Sequence, residues 1–239
     1  MGDPINAVRI FNEKEADELI VLDIGASAAG VAPNVKRIEA LAAECRMPLC
    51  YGGGVKTVEE ALEIFRVGVE KVALSTQALV EPMFVRKLAD RVGTQSVVIV
   101  LDVKKNRAGA YEVFSRNGKI ATGIGPTDFA KKFQQLGAGE IVVNSIDNDG
   151  VMKGFDMALI AQVRSAVDIP ITVIGGCANL SDVGKVIETF GILGVAAGSM
   201  FLFKGIYRAV LINYPNPIEK DLLIQQALKK YATRAEGLI

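Results

Sequence analysis

Four aspartates, Asp23, Asp102, Asp147 and Asp149, end or follow short apolar runs in a chain that contains no histidine. Without imidazole, Ser-His-Asp and Cys-His catalysis are excluded, as is every zinc site that needs His. Acid–base work at neutral pH then falls to Asp, Glu, Lys or Cys. Asp102 is the strongest candidate. Its run, SVVIVLDV (96–103), is otherwise apolar, and desolvation raises the pKa of a carboxylic acid. A solvated strand end is the plainer reading of the same residue. Lys104 shares its side of the strand, either paired with a carboxylate or exposed. Cys45, Cys50 and Cys177 lack metal-ligand spacing. They read as small buried apolar residues of a reducing compartment. No metal and no cofactor is expected.

A second chemistry is written in glycine. Gly52-Gly53-Gly54 follows one apolar run and Gly175-Gly176 follows another; Ser75-Thr76 and Gly198-Ser199 end the run after each. Glycine lets backbone N–H groups approach an anion closely. With hydroxyls and helix N-termini beside it, such a turn is a phosphate cradle. A single Gly-Gly reads as a tight turn. Two symmetric copies imply a ligand with a phosphate at each end.

The elements that must position these residues alternate. Short β-branched runs at 19–24, 48–51, 71–74, 96–103, 140–144, 170–174 and 194–197 read as strands. They are nearly continuous apolar runs, the pattern of parallel strands covered on both faces. Between them lie segments with helical spacing. Val58, Ala61, Leu62 and Phe65 share one face, with Thr57 and Glu60 placed as a capping box. Asn179 caps a later helix, and Thr127 or Asp128 another. The period of roughly 25 residues predicts a (β/α)8 TIM barrel, with the active face at the strand C-termini. A doubly wound open sheet is the alternative, although no G-x-G-x-x-G opens a helix. Residues 110–123 predict a hairpin turning at Asn117-Gly118, an excursion over one mouth of the barrel. At the opposite face Glu18, Lys71 and Glu140 start three strands. Such residues are rarely buried unpaired, so they form a salt-bridge plug or a gate.

The chain repeats itself. Positions 18 and 140, 53 and 175, and 54 and 176 are each 122 residues apart and carry the same residue, and at the same spacing Thr57 pairs with Asn179 as a helix cap. The reading is one barrel over 1–239, made of half-barrels 1–95 and 96–210 with a helical tail 211–239. Subtracting 122 from Asp102 places the twin of its strand before residue 1. Seven barrel strands are therefore encoded, and the first half lacks its opening strand. A start assigned too late is the favoured explanation; a fragment, or cover from the tail at 218–239, are the others.

Composition sets the outer bounds. The 239 residues are 50% hydrophobic and 23% charged, with 27 basic and 27 acidic residues. No basic field exists to favour nucleic acid or an anionic membrane. The longest apolar stretches, 192–203 and 19–24, fall short of the ~20 residues that cross a bilayer. No signal peptide opens the chain. A cytoplasmic protein is expected.

Eight runs together carry a family resemblance: GDP (2–4), DEL-x-x-LDI-x-AS (17–27), GGGV (52–55), KVALST (71–76), LDVK (101–104), SIDNDG (145–150), IGG (174–176) and GS (198–199). From residue 2 to about 203 the chain resembles the cyclase subunit of imidazole glycerol phosphate synthase, of histidine biosynthesis. A sugar-isomerase barrel of the same pathway shares the cradles, but SID-x-DG and LDIGAS favour the cyclase. The resemblance implies a duplicated (β/α)8 barrel that takes ammonia from a glutaminase docked on its N-terminal face. It implies cleavage and cyclisation of a phosphoribulosyl-formimino aminoimidazole carboxamide nucleotide, a bisphosphate. The products are imidazole glycerol phosphate and an aminoimidazole carboxamide nucleotide.

By the same resemblance, Asp102 matches one of two catalytic aspartates. Gly54, Ser75 and Thr76 match one phosphate site, and Gly150, Gly176 and Ser199 the other. Asp23 matches a carboxylate on the active face. Gly53, Asn144, Ser145, Asp149, Gly175 and Gly198 complete the substrate-binding set. Glu18, Lys71 and Glu140 match an ammonia gate, and Glu70 and Gln95 lie where the glutaminase docks. The second catalytic aspartate and the gate's arginine belong to the absent strand. The family's Asn-Thr is Ser75-Thr76 here, a threonine beside the site is Asn144, and the tail after Phe203 differs. These departures resemble a paralogous branch that serves sugar amidation in surface-polysaccharide synthesis. A non-catalytic scaffold that activates the glutaminase is a third reading.

Overall fold

The computed structural model describes residues 3–205 and 207–236. Gly2 of the GDP run and the last three residues of the tail lie outside them. In chain order the elements are α1 (Pro4–Glu13), β1 (Leu19–Leu22), α2 (Ile24–Ala29), α3 (Val35–Glu44), β2 (Leu49–Gly52), α4 (Val58–Arg66), β3 (Lys71–Leu74), α5 (Thr76–Val80), α6 (Met83–Val92) and β4 (Val97–Lys105). There follow β5 (Tyr111–Ser115), β6 (Ile120–Ala121), α7 (Pro126–Gln135), β7 (Glu140–Ser145), α8 (Met157–Arg164), β8 (Ile171–Ile174) and α9 (Leu180–Phe190). The chain ends with β9 (Gly194–Val195), α10 (Ser199–Leu202), β10 (Phe203–Lys204), β11 (Ala209–Val210) and α11 (Pro217–Glu236).

Local chemistry sets most boundaries. Thr57 Oγ1 accepts from the Glu60 N–H, and the Glu60 carboxylate accepts from the Thr57 N–H, closing the capping box of α4. Asn179 caps α9 through the Asp182 N–H. Two expectations are corrected. The α7 cap is Gly125 rather than Thr127 or Asp128, because Pro126 is preorganised for the first helical position. The first strand stops at Leu22, because Asp23 accepts from the N–H groups of Gly25 and Ala26 and starts α2.

The seven expected strands form one curled parallel sheet in the order β1-β2-β3-β4-β7-β8-β9, a (β/α)8-type barrel left open between β1 and β9. Its faces bury different residues. The outer face packs Leu49, Tyr51, Val72, Ile99, Leu101, Ile141 and Val143 against helix residues such as Phe129, Phe133 and Leu88. The concave face is a separate small cluster of Cys50, Ala73, Val98, Val100 and Val142, flanked by Ile20 and Ile174. Small residues suit the inside of a curled sheet, where side chains converge. The predicted hairpin is β5 and β6, and β5 also pairs antiparallel with β4.

The tail joins the two open edges on the helix side and, among the described residues, adds no strand between them. Helix α11 packs on α9, with Tyr231 against Gly191 and Lys230 Nζ 2.5 Å from Glu188. At its other end Lys220 Nζ lies 2.6 Å from Asp17, and the Tyr214 hydroxyl donates to the same carboxylate at 2.8 Å. Both contacts hold the loop that leads into β1. Among the described residues no helix is long and apolar enough to cross a membrane.

Candidate functional site

Alternation along the strands sorts the site residues. On β4 the inward positions are Val98, Val100 and Asp102; on β7 they are Glu140, Val142 and Asn144. The two strands are in parallel register, so Asp102 stands beside Asn144 and Val98 beside Glu140. Along the bore this produces a charged floor, an apolar middle and a polar mouth.

At the mouth Asp102 Oδ1 accepts from Asn144 Nδ2 at 2.9 Å, and Oδ2 accepts from Ser75 Oγ at 3.2 Å. Burial pushes the Asp102 pKa above the usual carboxylate value. The two hydrogen bonds oppose that shift and Asp149 adds to it. Asn144 Oδ1 is buried without a hydrogen-bond partner. An unmet buried acceptor is costly, and this one belongs to a residue of the cavity wall. Ser75 precedes α5 without capping it, because its hydroxyl is committed to Asp102.

These residues line a cavity of about 370 Å³ that brings together Asp23, Gly53, Gly54, Ser75, Thr76, Asp102, Asn144 and Asp149. Sequence reasoning missed one of its walls and anticipated another, the hairpin. Lys56 lines it directly after the glycine turn, where its position beside GGGV was a usable signal. The hairpin tip closes over it: Asn117 Nδ2 donates to the Ile24 carbonyl at 3.0 Å, and the Arg116 N–H to Thr76 Oγ1 at 3.3 Å. Asp149 and Ile174 also border a second, much smaller pocket of about 10 Å³, shared with Gly150, Gly175, Gly176, Gly198 and Ser199.

Both glycine pairs are also required by packing. A Cβ on Gly53 would stand 2.4 Å from the Asp23 carbonyl oxygen, and one on Gly176 2.2 Å from that of Gly154. Ser145 lines neither pocket. It follows Asn144 on the strand and is buried, with its carbonyl against Gly175. Lys104 lies over the Phe114 ring, 4.6 Å from its centroid. Asp147 accepts from the Lys105 N–H.

At the floor Lys71 Nζ lies 2.9 Å from Glu18 and 2.8 Å from Glu140. Burial works to lower its pKa, but the hydrogen bonds to Glu140 and Glu18 outweigh it and hold the ammonium firmly charged. Thr172 Oγ1 donates to the other Glu140 oxygen at 2.7 Å. Sequence reading did not include Thr172, although alternation on β8 places it inward with Ile174. Glu70 and Gln95 are exposed on this strand-start side; Glu70 accepts from the Leu49 N–H, and Gln95 donates to the Val92 carbonyl.

Comparison with known proteins converges on one group. A model of the histidine biosynthesis protein family matches residues 1–207. A Vibrio vulnificus protein with the provisional name imidazole glycerol phosphate synthase subunit hisF3 is 52% identical over 226 residues, covering 94% of this chain and 87% of the relative. A Leptospira interrogans protein provisionally named as the HisF subunit is 53% identical over 224 residues, covering 93% and 88%. The imidazole glycerol phosphate synthase subunit HisF of Clostridium botulinum is 34% identical over 215 residues, covering 90% and 85%.

Proposed function

Because the chain belongs to the histidine biosynthesis protein family, within its imidazole glycerol phosphate synthase cyclase-subunit group, we propose that it uses ammonia to cleave and cyclise a bisphosphorylated phosphoribulosyl-formimino aminoimidazole carboxamide nucleotide. The products are imidazole glycerol phosphate and an aminoimidazole carboxamide nucleotide. The observation that carries this reading is the layered bore. Ammonia supplied by a glutaminase on the strand-start face meets Lys71 clamped between Glu18 and Glu140. Beyond that floor the apolar layer around Cys50, Ala73 and Val98 penalises ammonium but passes neutral ammonia. The bore then opens at Asp102, Ser75 and Asn144.

The chemistry assigned to the mouth follows from its geometry. Asp102 is held by two donors and has a raised pKa, which suits a group that gives and takes protons near neutral pH. Asn144 orients that carboxyl group by donating its Nδ2 to Asp102 Oδ1. The two Gly-Gly turns, with Ser75-Thr76 and Ser199, take the two phosphates.

The test is turnover of the purified chain with the bisphosphate nucleotide, first with an ammonium salt and then with glutamine plus a glutaminase. Formation of imidazole glycerol phosphate in both assays is expected. Lys71→Glu should leave the ammonium-driven reaction intact and uncouple the glutamine-driven one; unchanged coupling removes the gate. Failure in both assays removes the reaction.

The step in similarity favours a second reading. Relatives at 48–53% identity carry provisional names, among them hisF2 and hisF3, whereas the Clostridium HisF stands at 34%. A branch delivering ammonia to a sugar acceptor in surface-polysaccharide synthesis fits that separation. Neighbouring genes encoding sugar-nucleotide enzymes rather than histidine enzymes would support it.

A further inference from the structure

We propose that Arg208 supplies the positive charge for a phosphate in the second glycine nest, an inference that rests on the two-phosphate reading above. The first nest has its own cation. Lys56 lines the large cavity immediately after the glycine turn, with Nζ 2.7 Å from the Gly30 carbonyl. Adding 122 to 56 gives 178, which is Ala178. The second half therefore repeats the glycines without the charge. Its pocket is bordered by Asp149, which also lines the first, and whose carboxylate would repel a phosphate without a compensating cation.

Arg208 meets that need from outside the repeat. It sits in the turn between β10 and β11, with φ at 49°. That is the left-handed region, which favours glycine. Its Nη2 donates to the Gly150 carbonyl at 2.9 Å and lies 3.7 Å from Met152 Sδ, and both residues line the second pocket. The guanidinium carbon lies 5.2 Å from the Phe203 ring centroid. A Cβ on Gly150 would be 4.0 Å from Ser199 Oγ, so the arginine and the serine hydroxyl flank the same residue. Among the described residues Arg208 is the one Lys or Arg hydrogen-bonded to this pocket's lining, and its Nε and Nη1 have no hydrogen-bond partner. A planar guanidinium with free donors matches a phosphate better than an ammonium does.

The experiment titrates the full-length protein with inorganic phosphate and follows backbone amide resonances of both nests by NMR. In the parent, phosphate should move Gly53 and Thr76 in one nest and Gly150 and Ser199 in the other. Arg208→Ala should weaken the second response about tenfold and leave the first unchanged; Arg208→Lys should lose less, and Lys56→Ala should show the reverse pattern. Unfolding midpoints are recorded for each variant, and Arg208→Gln repeats the titration if Arg208→Ala is unfolded. Arg208 variants whose second nest responds like the parent's overturn the assignment. Phosphate that moves neither nest in the parent ends the two-phosphate reading and this inference together. An arginine-dependent second nest in a protein that fails to turn over the nucleotide keeps the Arg208 assignment and removes only the reaction.

Discussion

Gly53 and Gly54 have φ values of 127° and 75°; Gly175 and Gly176, 122 residues later, have 94° and 109°. Both pairs press against backbone carbonyls, of Asp23 and Val31 in the first half and of Ser145 and Gly154 in the second. Yet one turn opens on a cavity of about 370 Å³ and the other on about 10 Å³. The repeat reproduces the backbone device, and non-repeated segments equip it. The hairpin tip closes the first half over Thr76, and the β10–β11 turn brings Arg208 to the second. Chemistry is unequal too: Asp102, with its raised pKa, lines the first cavity and not the second.

That asymmetry can be broken experimentally. The largest effect is expected from Asp102→Asn, which should lower ammonium-driven turnover at least about a hundredfold. Activity equal to the parent's would remove Asp102 from the reaction. The same variant carries a pH signature. Because the folded-state pKa is raised, folded protein holds a proton that unfolded protein releases, and Asp102 costs stability as pH climbs from the unfolded value through the folded one. Asp102→Asn should therefore be more stable than the parent at neutral pH, with the gap closing toward acid pH in urea unfolding.

Next come the glycines. Gly54→Ala and Gly176→Ala should each lose about 3 kcal/mol in denaturant unfolding, since a Cβ at positive φ meets backbone rather than a movable side chain. A loss in only one half would show that the two turns are not equivalent. The helix caps test the repeat more gently: Thr57→Ala and Asn179→Ala should each cost about 1 kcal/mol. Gly198→Ala is the smallest expected change, within about 0.5 kcal/mol. Its φ is −103° and a Cβ there meets nothing within 4 Å. A large loss would mean that this end of the second nest is tighter than its geometry indicates.

The sequence by itself determined what depends on near neighbours. The apolar runs became strands, Thr57 with Glu60 and Asn179 became caps, and the glycine pairs became left-handed turns, because φ preference and N–H capping act within a few residues. Its internal arithmetic also anticipated seven strands, since a repeat needs no coordinates to be counted. Tertiary structure alone decided which distant groups meet. Lys71 reaches Glu140 across 69 positions, Asn144 turns its amide to Asp102 across 42, and Arg208 finds Gly150 across 58. Those pairings depend on sheet curvature and on the side of each strand that faces the bore. Curvature and facing are fixed by the burial of the whole apolar surface, which no local run encodes.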